Sequence, residues 1–195
     1  EAALAENLVY CGHVGHGLLP GIRHVVRVLL TAPMEFRLEL VRLRQGLAAT
    51  AARRYIEHMD KAHTLRLMAL FGSDWRDPGQ YTFILNMARM TSTGAQKLIV
   101  QSAKLADFKP TAESRQGLED LALSSRVEAH LLTFPRFRNL TIGVKARAGD
   151  ITVSGVIPAA ISPADLTREI DAVPGVKRVI ADLANSMPHP ARRFA

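Results

Sequence analysis

Asp74-Trp75-Arg76-Asp77-Pro78-Gly79-Gln80-Tyr81-Thr82-Phe83-Ile84-Leu85-Asn86 carries two kinds of chemistry in one run. The first half is turn chemistry. Asp74 and Asp77 can accept from backbone N–H groups two residues on, and Pro78-Gly79 interrupts any regular element. The second half, Tyr81 to Met87, is aromatic and aliphatic and reads as a buried strand. Upstream lies a long charged helix, about Ala51 to Phe71, with Thr50 as its cap and Gly72 as its stop. Its apolar side is read as Tyr55, Met59, Leu65, Met68 and Leu70. Downstream, Thr91 or Ser92 caps a helix from about Thr93 to Ala106. Helix, strand and helix in succession predict an α/β layered core.

Earlier residues extend the same pattern. Asn7-Leu8-Val9-Tyr10-Cys11-Gly12 reads as a short buried strand that runs into the Gly-rich turn Gly12-His13-Val14-Gly15-His16-Gly17. His24 to Thr31 is a second strand with little alternation, as expected where both faces of a parallel sheet are covered. Pro33 opens a helix to about Gln45, which Gly46 ends. A polar break containing Pro110 marks a boundary, giving a first domain over 1–108 and a linker over 109–116. Beyond it the order becomes helix (Arg115–Leu132), strand (Leu140–Arg147), strand (Ile151–Ile157), helix (Pro163–Ala172) and strand (Val176–Leu183). Ala148-Gly149-Asp150 joins the first two strands as a short hairpin loop. Val144 and Ala146, then Ile151, Val153 and Gly155, alternate onto one face. Residues 186–195, with Pro188, Pro190, Arg192 and Arg193, read as a mobile tail.

Composition narrows the class. The 195 residues are 48% apolar but only 6% aromatic, so the core must rest on Leu, Val, Ile and Ala. The formal charge is +7, of which +5 falls in residues 1–110 and +2 in 111–195. That excess suits an anionic partner or simply a soluble basic surface. Cys11 is the single cysteine; it excludes an internal disulfide, is expected to be buried and inert, and suits a reducing cytoplasm. No apolar run is long enough to span a bilayer.

The second half resembles a BON domain over residues 117–185. The residues that carry the likeness are Arg126-Val127-Glu128-Ala129-His130-Leu131, Ile142-Gly143-Val144-Lys145-Ala146, Gly149-Asp150-Ile151-Thr152-Val153-Ser154-Gly155-Val156-Ile157 and Val173-Pro174-Gly175-Val176-Lys177-Arg178-Val179. The resemblance implies a small α+β accessory module that binds a protein partner, or membrane lipid through a basic patch of Arg136, Arg138, Arg147, Lys177 and Arg178. It brings no catalytic cluster.

The first half, about residues 3–106, resembles the C-terminal part of the cytidylate-kinase-like proteins, which are P-loop phosphotransferases. Asn7 to Gly12 looks like the family strand that ends in Gly-Arg, with His13 in place of the Arg. Arg27-Val28-Leu29-Leu30-Thr31-Ala32-Pro33 looks like the strand entering a Pro-x-x-x-Arg helix, with Arg37 in place. Tyr55 to His63 resembles the lid helix and its Asp-x-x-Arg pattern; Asp60 is kept and His63 replaces the Arg. Tyr81 to Asn86 resembles the strand before the last helix. The expected fold is thus a partial P-loop-kinase-like parallel sheet with flanking helices, followed by the small α+β domain.

The resemblance implies a nucleotide or phosphate site at His13, Arg37, Arg53, Arg54, Asp60, Lys61, His63 and Arg66. The four cations of the helix, Arg53, Arg54, Lys61 and Arg66, can equally form a solvated face. Residues 1–195 contain no Gly-x-x-x-x-Gly-Lys-Ser/Thr loop to cradle ATP phosphates. Arginine offers a fixed fork of donors at any physiological pH, whereas histidine is only partly charged there. Two readings follow. One is a degenerate kinase-like scaffold with a regulatory or assembly role and no cofactor. The other is a fragment of an ATP- and magnesium-dependent nucleoside monophosphate kinase whose P-loop lies upstream, as the start at Glu1 allows. Both are expected in a bacterial cytoplasmic protein that self-associates to cover an open sheet edge.

Other constellations are weaker. Gly12, Gly15 and Gly17 have the wrong spacing for a dinucleotide loop. Cys11, His13, His16 and His24 lack the second ligand pair of a structural zinc site. Asp60, Asp74 and Asp77 could hold magnesium, although capping and turn geometry account for the last two. Ser154 has no neighbouring base. No motif for specific nucleic-acid binding is present, and no such partner is expected.

Overall fold

The computed structural model of the chain describes residues 2–5 and 7–186. It divides into two compact units, Val9–Thr111 and Ala112–Ala195, the latter grouped with Glu1–Leu8. A single helical turn, α1 (Ala2–Ala5), stands at the start.

The Val9–Thr111 unit contains α2 (Gly15–Leu18), β1 (Val28–Thr31), α3 (Met34–Gln45), α4 (Ala49–Phe71), β2 (Phe83–Asn86) and α5 (Ser92–Ala103). β1 and β2 pair in parallel, with Leu30 opposite Leu85. Parallel neighbours need a long crossover, which α3 and α4 supply. The ladder continues past its ends, since Thr82 N–H donates to Arg27 O and Met87 N–H to Thr31 O. Pro33 precedes α3, Glu35 lies in its first turn and Arg42 and Arg44 in its last, each sign where the helix dipole favours it. Gly46 and Gly72 close α3 and α4 by donating back to Arg42 O and Met68 O. Thr91 caps α5 by accepting from Gly94 N–H.

The structure departs from the sequence expectations at several places. Asn7–Gly12 forms no strand; Val9 is 93% exposed. A strand needs a ladder partner, and among the described residues β1 and β2 pair only with each other. The strand expected from His24 begins at Val28, and Cys11 is exposed. Ala48, not Thr50, precedes α4, without a side-chain cap. The buried stripe of α4 is Ala52, Ile56 and Leu67, whereas Tyr55, Met59, Leu65, Met68 and Leu70 are exposed. Ala52 is fully buried although it is small, so the buried stripe does not follow side-chain size.

The second unit comprises α6 (Ala112–Leu132), β3 (Ile142–Arg147), β4 (Asp150–Pro158), α7 (Pro163–Asp171) and β5 (Arg178–Ser186). α6 begins at Ala112, so the last five positions of the expected linker 109–116 are helical. The sheet order is β3-β4-β5, antiparallel then parallel. Ala148 and Gly149 form the two-residue hairpin loop with φ of 52° and 97°, the positive sign that a type I′ turn requires. Gly155 has φ 142°, and a Cβ there would come within 2.9 Å of Thr141 O. Leu123, Val127 and Leu131 of α6 and Leu166 and Ile170 of α7 pack with Val144, Ile151 and Val153 of the sheet. This is the face that the alternation of β3 and β4 predicts. The tail expected over 186–195 lies, beyond Ser186, outside the described residues. No helix among the described residues is long and apolar enough to cross a membrane.

Candidate functional site

Helical spacing assembles the site. Glu57, Asp60, Lys61, Thr64 and Leu65 recur along one stripe of α4, and with Arg76 they line a cleft of about 390 Å³. Arg37 of α3 reaches this stripe. Its Nη1 and Nη2 donate to the two oxygens of Asp60 at 2.9 and 2.6 Å. The pair is mostly buried, with side chains 32% and 24% exposed. The hydrogen bond to Asp60 raises the Arg37 pKa above its ordinary value, burial opposes this, and the Asp60 charge adds to it.

Thr64 is the next link. Its hydroxyl donates to Asp60 O at 2.9 Å and accepts from Trp75 Nε1 at 3.0 Å and Arg76 Nη1 at 3.1 Å. One donor and two acceptor positions are all a hydroxyl has, so Thr64 is saturated. Arg76 also lies over the Trp75 ring at 4.5 Å. His63 stacks on the same indole at 5.1 Å and 14°. Its Nε2 lies 2.6 Å from His13 O. A carbonyl only accepts, so His63 Nε2 carries the proton and only Nδ1 is left for other chemistry. The His13 ring lies 4.8 Å from the His63 ring.

The turn that positions Trp75 is built as its sequence predicts. Asp74 accepts from Arg76 N–H and Asp77 from Gly79 N–H, each at 2.9 Å. Gln80 Nε2 donates to Asp74 O at 3.0 Å, and Tyr81 OH to Trp75 O at 2.8 Å. At the start of β1, Arg27 donates a side-chain bond to Leu19 O, and burial lowers its pKa.

Burial, with Asp74 and then Asp77 adding to it, pushes the Tyr81 phenol above its ordinary value. The unfolded chain therefore loses this proton first as pH rises, and stability falls from about pH 10 upward through the folded pKa. Tyr81→Phe should cost about 1 kcal/mol at pH 7 through the lost hydrogen bond and should flatten that alkaline decline. Urea midpoints at pH 7 and above pH 10, read by fluorescence of the single tryptophan, check both parts.

Of the expected site residues, the structure brings His13, Arg37, Asp60, Lys61 and His63 together. Arg53, Arg54 and Arg66 are exposed on α4 and do not line the cleft. Thr64, Trp75 and Arg76 complete the array and were not expected in it. The signal for Thr64 was its place four residues after Asp60. Trp75 and Arg76 read only as turn residues, because their partners are distant in sequence. Among the described residues no three His, Cys, Asp or Glu side chains gather as a metal site.

In the second unit the five basic residues separate into two groups. Arg136 pairs with Glu169 at 3.2 Å and Asp165 at 3.9 Å and lies over Phe137 at 4.5 Å. Arg138 Nε donates to Leu132 O at 3.3 Å. These two precede β3. Arg147, Lys177 and Arg178 stand at the hairpin end of the sheet, where Lys177 Nζ donates to Ala148 O and Arg178 pairs with Asp150. Asp120 accepts from Ala148 N–H at 2.7 Å, which ties the same loop to α6.

A family model described as the Cytidylate kinase-like family matches residues 1–89. The matched span contains the Gly-rich turn, β1, α3, α4, the Trp75 turn and β2, and so includes the whole array built above. No curated protein matches the chain.

Proposed function

We propose that the Val9–Thr111 unit is a nucleotide-kinase-like scaffold with a regulatory or assembly role, and that the second unit is its accessory BON-type module. The Arg37–Asp60 pair carries this reading. Phosphoryl transfer is catalysed mainly by positioning and neutralising the charge on the transferred group. Arg37 spends both arms of its fork on Asp60, and charge-assisted bidentate bonds are the strong ones. His63 is likewise committed to His13 O and Trp75. Arg37, Asp60 and His63 thus bond within the unit. Such a scaffold takes no cofactor. Its single cysteine suits the cytoplasm, its open β1–β2 sheet suits self-association, and the second unit docks a protein partner or a lipid headgroup.

One observation favours a second reading. Lys61 and Arg76 face a cleft of about 390 Å³, which has room for a phosphate-bearing ligand. In a nucleoside monophosphate kinase using ATP and magnesium, Arg37–Asp60 would be a prebuilt support for that cleft. This reading needs a phosphate-cradling loop that residues 1–195 do not contain. Calorimetric titration with CMP separates the two readings, because ATP uptake would also need that loop; the scaffold takes up no CMP.

A further inference from the structure

β5 is the outer strand of its sheet. It pairs with β4 along nine residues, Arg178–Ser186, and among the described residues no strand pairs with its other side. A long open edge is a template for another strand, and natural edges blunt it with charged side chains, lysine above all, and with proline, bulges or short length. Residues 178–186 contain no lysine, proline or glycine. Alternation sends Val179 and Leu183 toward the core, where they pack, and places Arg178, Ile180, Asp182 and Ala184 on the opposite face. All four are exposed, Ile180 by 43%.

We infer that β5 pairs antiparallel with β5 of a second copy of this chain, about a two-fold axis at Ile180, merging two three-stranded sheets into one of six. The charge pattern favours this partner, and with the axis at Ile180 residues 178–182 of each strand are paired. A two-fold interface is self-complementary. With the axis at Ile180, Arg178 of each copy lies opposite Asp182 of the other, and Ile180 lies opposite itself as an apolar cross-strand pair. An axis at Arg178 or at Asp182 would oppose like charges. A parallel in-register pairing would do so at both positions. Arg178 already pairs with Asp150 across β4, and a guanidinium has donors enough for a second carboxylate. The result is a continuous row, Asp150 to Arg178 to the second copy's Asp182, on the face away from the core. β5 belongs to the second unit, and its pairing does not depend on nucleotide binding.

Sedimentation equilibrium of the full chain tests it, with two variants. The chain should dimerise at micromolar concentration, and Asp182→Arg should raise the dimer dissociation constant on the order of 30-fold, because symmetry converts two attractive pairs to repulsive ones at once. Circular dichroism checks that this variant is folded. In a Cys11→Ser background, oxidised Ile180→Cys should run as a covalent dimer, while Lys145→Cys on β3 should not. A monomer throughout overturns the proposal. So does a dimer that Asp182→Arg leaves intact and Ile180→Cys does not crosslink, the outcome expected of association through β1–β2.

Discussion

Leu166→Ala is expected to destabilise the second unit by about 3–4 kcal/mol, the cost of a lost transfer term plus a residual cavity. Leu166 lies on α7, is fully buried, and shares its core with Ile170, Val127, Ile151 and Val153. Those neighbours come from α7 itself, α6 and the sheet, so the space cannot be refilled by a single side-chain shift. An effect of this size is a large part of the stability of a small domain. Leu132→Ala is the control, because Leu132 is 53% exposed and should change stability by about 0.5 kcal/mol or less. Hydrogen exchange of amides in β4 and α7 reads both variants within this unit. Equal protection in the two would mean that α7 does not seal the core.

The second large effect belongs to the other unit. Asp60→Ala should cost about 2 kcal/mol, since it strands a mostly buried guanidinium that has lost two short bonds. The figure sits below that of a fully buried pair because about a third of the Arg37 side chain and a quarter of Asp60 remain exposed. Arg37→Ala should cost less than Asp60→Ala if the stranded charge is the main penalty. The double variant should then be more stable than the sum of the single losses implies, with a coupling of about 1 kcal/mol or more. Trp75 fluorescence follows the unfolding, because Trp75 bonds to Thr64 beside the pair. Strict additivity would show that Arg37 and Asp60 do not hold each other.

The two units differ in how far their sequences could be read, and the reason is physical. In the second unit each strand has one core face and one solvent face, so Val144, Ile151 and Val153 announce themselves by alternation. The hairpin follows from Ala148-Gly149-Asp150, whereas the close approach of Thr141 O at Gly155 is visible only in three dimensions. In the first unit local signals found the long helices and the parallel β1–β2 pair, but they missed that Gly15–Leu18 of the Gly-rich turn is helical and gave a strand to Asn7–Gly12. Asn7–Gly12 has the composition of a strand, but a strand is a relation between segments, and the partner is not a local property. The face of α4 was misread because large apolar residues such as Met59 and Met68 outweighed Ala52 in the pattern. Asp60 and Arg37 were legible as a pair of positions through family resemblance. That they bind each other, and that His63 donates to a backbone carbonyl, required three-dimensional geometry.

Calorimetry of CMP and ATP with the full chain tests most directly whether the polar array of α4 is a structural lock. A lock predicts no saturable heat for either nucleotide up to about 1 mM, an affinity no better than roughly −4 kcal/mol. Micromolar binding of CMP that disappears in Arg76→Ala or Lys61→Ala, with the fold intact by circular dichroism, would contradict it and make the cleft a working nucleotide site.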